Sequence, residues 1–432
     1  MSSSVPIPPD APLSVDALRI LGTSITRESF LNTNVQDVFN AKTSGDVLSS
    51  VKEAAAKLQR HDIFEEIKVY MDSSRSNPDS VNVTFDLKEK GKGVYQTALV
   101  TGENEANMTG AVSVRNIFGG AETATARFGF GNRTKAAIEA VVGTPVQASP
   151  DFKLEAFAKY SIRDFSMINN YEERAKLAGV RAKGVSSFGK HELAYAMIHR
   201  DITAQPKSSA TVRANSGQNI KSSLVHTFVN DTRDNVTMPT KGKYLAVTQE
   251  FAGIGQRGDA NYFKNELAAQ VHQTLFGDVT LSTGIKFGLL VPTNDDNQHV
   301  NVSDRFYVGG PISVRGFKMG GIGQRDGNDA VGGNIYFAAG ASLTAPIPGA
   351  AHLPVRAHAF FNAGNIANRA KDTPLKGTLE ELINESRTAA GVGLIFHHEL
   401  ARVEANFCIP LRFKGSDLPQ HGIQLGLGIN FL

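Results

Sequence analysis

Asp231 and Asp234 stand either side of Arg233 in "NDTRDNVTMPTKG", residues 230–242. Two carboxylates so spaced are the residue types of a general acid and base, or of a metal site. The guanidinium between them, followed by Pro239 and Gly242, makes a structural ion pair at a strand end the stronger reading. His397 and His398 in "FHHEL" suggest metal ligation, but neighbouring residues of a strand point to opposite faces, which favours a turn or lumen role. The Gly-x-Gly pieces in "GFGNRT" and "GGIGQRDG" do not lie between a strand and a helix, so they imply no nucleotide site. No Ser-His-Asp set assembles. The expectation is a chain without catalytic residue, metal or cofactor, and not an enzyme. What remains unexplained is Arg315 in "YVGGPISVRGFKMGG", residues 307–321: a permanently charged fork of donors among glycines.

The elements that position such an arginine follow from composition and periodicity. The 432 residues are 41% hydrophobic and 20% charged, with 41 glycines, 25 phenylalanines and no tryptophan, enough to bury a large core. A net charge of +3 without a long basic run excludes an electrostatic argument for nucleic acid. Cys408 is the single cysteine, so no internal disulfide forms. The opening "MSSSVPIPPDAPLS" lacks the basic and apolar regions of a secretory signal, and the expectation is synthesis in the cytosol. No run of about 20 apolar residues is present for a spanning helix.

Alternation takes the place of such a run. In "ARVEANFCIPL" Val403, Ala405, Phe407, Ile409 and Leu411 alternate with Arg402, Glu404 and Asn406; in "GIQLGLGINFL" Ile423, Leu425, Leu427, Ile429 and Phe431 alternate with Gln424, Gly426, Gly428 and Asn430. Roughly sixteen segments of about 9 to 11 residues repeat this from about residue 93 onward, the length a tilted strand needs to cross a bilayer. A soluble sandwich or propeller turns the apolar face inward, a membrane barrel outward. Closure that removes edges, charges on the non-apolar face and a small-residue polar face favour the membrane barrel.

Residues 14–92 differ. "SGDVLSSVKEAAAKLQRHDIF" places Val47, Leu48, Val51, Ala54, Ala55 and Leu58 at helical spacing, with Ser44 or Asp46 offered as cap. A strand near "ALRILG", a helix near 27–41, and strands in "FEEIKVYMD" and "SVNVTFDLKEK" complete a β-α-α-β-β order, a small α+β domain. The division is a tail, 1–13, this domain, 14–92, and a barrel, 93–432.

These segments resemble a known family. "LQRHDIFEEIKVYMD" and "VNVTFDLKEK" are similar to a POTRA domain. "GGPISVRGF", with Gly309, Gly310, Pro311, Val314, Arg315, Gly316 and Phe317, resembles the Val-Arg-Gly-Phe/Tyr loop of the BamA-like outer-membrane insertases. The stretch with Asp231, Arg233, Asp234, Pro239 and Gly242 resembles their strand-end motif, and "FFNAGN" their Phe-x-Asp-x-Gly strand. One POTRA domain without an export signal resembles the channel-subunit branch of the mitochondrial sorting and assembly machinery.

The resemblance implies a membrane all-β fold, a 16-stranded antiparallel transmembrane β-barrel behind one POTRA domain, in the mitochondrial outer membrane with that domain facing the intermembrane space. It implies that a loop, about 292–332, folds into the lumen with Arg315 at its tip. The family's acidic partner is replaced by Asn362, which is neutral and accepts one hydrogen bond without supplying a charge, and Glu404 is the other candidate for the charge. It further implies insertion of unfolded β-barrel precursors into the lipid bilayer through a lateral gate. The gate lies between a first strand with Tyr95, Thr97, Leu99 and Thr101 and a last strand whose Gln424, Gly426, Ile429 and Phe431 match the precursors' C-terminal β-signal. Accessory subunits and intermembrane-space chaperones are the implied partners. A polypeptide-translocating or passive diffusion channel is the alternative.

Overall fold

The computed structural model describes residues 8–75, 77, 79–102, 105–256, 258–293, 300–349, 353–369, 374–398 and 401–428. Its first unit contains β1 (Ser14–Leu21), α1 (Glu28–Val35), α2 (Ser44–Arg60), β2 (Phe64–Ser73) and β3 (Ser80–Glu89). The sheet order is β1-β3-β2, with β3 parallel to β1 and antiparallel to β2. In α2, Val47, Val51, Ala54 and Leu58 form one buried stripe at the helical period, packing with Leu31 and Val35 over Val83, Phe85 and Leu87 of the central strand. The helix is capped by Thr43, whose hydroxyl accepts from the Asp46 amide at 3.2 Å. The residues offered from sequence, Ser44 and Asp46, lie within the first turn instead.

Sixteen strands follow in one sheet. They are β4 (Gly93–Gly102), β5 (Glu105–Arg115), β6 (Thr123–Gly131), β7 (Thr134–Pro145), β8 (Phe152–Asp164), β9 (Tyr171–Ser186), β10 (Gly189–Ala204), β11 (Gly217–Asp231), β12 (Gly242–Ala252), β13 (Tyr262–Thr274) and β14 (Thr280–Pro292), then β17 (Ile335–Pro346), β18 (Val355–Ala367), β19 (Arg387–His398), β20 (Ala401–Arg412) and β21 (Gly422–Gly428). The short β15 (Arg325–Asp326) and β16 (Asp329–Ala330) pair with each other inside the β14–β17 connection. Every ladder joins strands consecutive around the sheet and runs antiparallel, and β21 returns to lie beside β4.

The direction of the two faces decides between the two architectures. Along β20, Phe407, Ile409 and Leu411 are exposed while Glu404, Asn406 and Cys408 are buried; along β21, Ile423 and Leu425 are exposed and Gln424 is buried. An apolar exterior around a polar interior has the sense of a membrane barrel, opposite to that of a sandwich. The chain is a 16-stranded antiparallel transmembrane β-barrel. Among the described residues no helix is long and apolar enough to cross a membrane.

The first unit sits against the turns at one end of the barrel. Arg27 pairs with Glu122 at 2.7 Å, its amide donates to the Gly119 carbonyl, and Asn116 donates to the Thr26 hydroxyl. Gly119 has φ +84°, and a Cβ there would lie 2.4 Å from the Ile25 carbonyl oxygen, so this close approach requires glycine.

Candidate functional site: the lumen loop and the closing strand

The β14–β17 connection lies at the opposite end of the barrel, and its residues 300–334 fold back into it. Gly309, Gly310, Pro311, Val314, Arg315, Gly316 and Phe317 are all buried. The turns need left-handed backbone at Gly309, Gly310 and Gly316, which glycine adopts without penalty. A side chain at Gly316 would also meet the Ala389 Cβ at 2.9 Å.

Arg315, fully buried, reaches the inner face of the last strands. Its Nε and Nη2 donate to the two carboxylate oxygens of Glu404 at 3.0 and 3.2 Å, and Nη1 donates to Asn362 Oδ1 at 3.3 Å. The Phe360 ring lies 5.0 Å from the guanidinium. Glu404 also accepts from Arg402 at 2.5 Å and from Asn406 Nδ2 at 2.9 Å, so one carboxylate serves two guanidiniums. The bidentate charge-assisted bond falls on Glu404, and Asn362 supplies a single neutral acceptor. Gly364 in the same "FFNAGN" strand leaves room for Val314, whose Cγ2 would be 2.6 Å from a Cβ there.

The next two residues hold the closing strand. The Gly316 amide donates to Gln424 Oε1 at 3.1 Å, and Gln424 Nε2 donates to the Phe317 carbonyl at 2.8 Å. The Gln420 amide donates to the Gly316 carbonyl. A primary amide matched to one N–H and one C=O is the complementarity of a strand pair, made here by a side chain. Gly426 is buried on the same face of β21; Ile429 and Phe431 lie outside the described residues. On the other side of the seam Tyr95 and Thr97 of β4 are exposed, and Leu99 and Thr101 lie further along the strand. No backbone ladder joins β21 to β4 among the described residues.

Sequence reasoning missed the loop's second anchor. Asp304, buried, accepts from Arg200 at 2.8 and 2.9 Å, from Lys221 at 2.9 Å and from Tyr262 at 2.9 Å. Its three partners come from β10, β11 and β13. The available signal was a lysine and an arginine at inward phases of otherwise alternating strands. A third contact ties Gly323 to Asp417, itself paired with Arg387 at 2.9 Å.

The strand-end motif lies at the end of the barrel that carries the first unit. Arg233 pairs with Asp231 at 2.7 Å and lies 4.5 Å over the Tyr244 ring. Asp234 accepts from the Thr240 hydroxyl and from the amides of Asn235, Thr240 and Lys241. Pro239 is buried, and Gly242 has φ +109° with no room for a Cβ beside Thr232. Both carboxylates are thus occupied in fixing the turn. His397 lies at the end of β19, and no cluster of three metal-ligating side chains exists among the described residues.

A closed barrel with an arginine-tipped loop folded into its lumen defines a class of outer-membrane protein. The Omp85 superfamily domain matches residues 116–431, and the chain belongs to that superfamily. Within it, the chain is 31% identical to a SAM50-like protein of Schizosaccharomyces pombe over 98% of its own length and 91% of the relative's. It is 30% identical to the human sorting and assembly machinery component 50 homolog over 95% and 89%. In fold it is similar to BamA from Haemophilus ducreyi lacking POTRA domains 1–3, with a TM-score of 0.77 at 17% identity, covering 96% of this chain and 84% of that one.

Proposed function

We propose that this chain is the barrel subunit of a mitochondrial outer-membrane machinery that inserts and folds other β-barrel precursors through a lateral gate between β4 and β21. Residues 14–92 act as its POTRA domain, facing the intermembrane space, where chaperones deliver unfolded precursors. Accessory subunits complete the machinery, and the work is done without covalent chemistry. The observation that carries this reading is the hold of the lumen loop on Gln424: the closing strand is fixed by side-chain contacts from inside as well as by its ladder to β20.

The physical need is plain. In hydrocarbon each unpaired backbone group costs several kcal/mol, so a precursor strand must enter lipid already paired. A parted β4 edge offers a row of donors and acceptors for that pairing, which is strand addition. A precursor's C-terminal β-signal of the same pattern as β21 exchanges with it. Translocation or free diffusion through the lumen is disfavoured by the loop, whose Val308, Val314 and Phe317 are packed in a buried cluster there.

The test is a set of cysteine pairs, one member in 93–98 and one in 422–428, in a Cys408→Ser background. Oxidised pairs stop precursor assembly in isolated membranes and reduction restores it. A locked barrel that assembles precursors at the wild-type rate refutes the gate.

A further inference from the structure

We infer that the outer wall of the barrel at β10–β13, opposite the β4/β21 seam, carries an intramembrane docking site for a partner's transmembrane helix bearing an Asn, Gln, Ser or Thr on its contact face. This rests on the membrane-barrel fold and is independent of the insertase reading.

The observation is a chain of polar side chains on the face that meets lipid. His191 Nδ1 and His226 Nε2 are 3.3 Å apart, with the rings stacked at 5.6 Å; His226 Nδ1 and Gln249 Oε1 are 3.3 Å apart; Gln249 Nε2 donates to Asn265 Oδ1 at 3.2 Å. The residues belong to four successive strands, and His226, Gln249 and Asn265 are direct cross-strand partners. Their outward direction is fixed by their neighbours in the chain: Glu250 bonds Lys221 within the lumen, and Lys264 donates to the carbonyl of Asp304 in the lumen loop. Along each strand the flanking outward residues are apolar and exposed, namely Leu193, Leu224, Phe251, Phe263 and Leu267. A polar line therefore crosses an apolar wall.

Gln249 Oε1 only accepts, so His226 Nδ1–H is its donor, and Gln249 in turn donates to Asn265. Each primary amide carries two N–H groups, so the line ends at one side on amide donors of Gln249 and Asn265 and at the other on the His191 ring. Hydrocarbon satisfies neither end. Only helices and closed barrels persist in the bilayer core, and the outward band of a barrel is apolar, so another barrel of ordinary exterior supplies no partners. A helix tolerates one or two polar side chains and uses them as interhelical contacts.

The experiment uses the full chain in phosphatidylcholine vesicles, with a fluorophore on Val247→Cys in a Cys408→Ser background, beside Gln249 on the same face. Two labelled Leu-rich transmembrane peptides are compared, one with a single central Asn and one without. The Asn peptide is enriched at Val247 by about tenfold, the worth of one or two membrane hydrogen bonds, and shows no preference at a control label on Phe128→Cys of β6. Gln249→Leu with Asn265→Leu, in a barrel that still shows heat-modifiable migration, removes the difference; the peptide comparison itself requires no variant. Equal enrichment of both peptides overturns the proposal. So does quenching at Val247 by headgroup-labelled lipid, which makes the line a site of local bilayer thinning. Energy transfer between copies of the barrel that is lost in the double variant also overturns it, in favour of self-association.

Discussion

Removing the Glu404 carboxylate is the sharpest perturbation of the lumen loop. It leaves Arg315, fully buried and bonded to Glu404 at 3.0 and 3.2 Å, and Arg402, bonded at 2.5 Å, without their shared counter-charge. Breaking a buried pair by deleting one partner costs about 3–5 kcal/mol, and tenfold in an equilibrium is about 1.4 kcal/mol. Glu404→Ala should therefore raise the undocked population of the loop tip by roughly two to three and a half orders of magnitude. The base of the loop stays held, because Asp304 with Arg200 and Lys221 is a separate anchor. Hydrogen exchange on the reconstituted protein reads both: amides of residues 309–323 lose protection, while those around Asp304 and the barrel strands keep theirs. Glu404→Gln, which retains an acceptor without the charge, falls between. Unchanged protection at 309–323 in a folded Glu404→Ala barrel would show that the ion pair does not hold the loop.

Asn362→Asp adds a second carboxylate beside Arg315; protection at 309–323 should rise, and it should partly rescue Glu404→Gln. Gln424→Ala strands the buried Gly316 N–H and Phe317 C=O at about 1–3 kcal/mol each; amides of β21 should exchange faster, with β18 unaffected. In the first unit, burial, and next the charge of Lys153, push the His61 imidazole down to about 4. The folded state thus binds the proton less readily than the unfolded chain, so stability present above about pH 6.5 is lost as pH falls from there toward 4. Thermal melts of the first unit should show a loss of roughly 3 kcal/mol across that window, largely abolished in His61→Gln.

How far the sequence reaches is seen best on β20 and β21. Strand periodicity is a local property, since successive side chains take opposite faces whatever the surroundings, and Val403 to Leu411 reads directly as a two-faced strand. The helix of 44–60 is equally legible from its stripe, although the cap is not: Thr43 lies one residue before the side chains that composition offered. At the lumen loop, glycine content marked the need for left-handed backbone, and Arg315 marked a charge in search of an acceptor. Asp304 was silent, because an aspartate in a polar loop looks like any solvated residue until Arg200, Lys221 and Tyr262 converge on it from 104, 83 and 42 residues away. The outward polar line was silent for a related reason: His226, Gln249 and Asn265 each lie beside apolar residues of the same phase within their own strand, and register alone aligns them.

What the sequence by itself determined is the barrel: the approximate number of its strands, their two unlike faces and the helical stripe of the first unit, all set by side-chain order within a few residues; strand length it did not, since about 9 to 11 residues were expected and β9 and β10 run to 16. The tertiary structure alone decided which face meets water or lipid, that Glu404 and not Asn362 takes both prongs of Arg315, and that Gln424 is held by the loop. Those outcomes depend on closing a sheet of 16 strands and on folding residues 300–334 back into it. Closure brings together groups that no local pattern relates, and the cost of leaving a buried charge unpaired then selects among them.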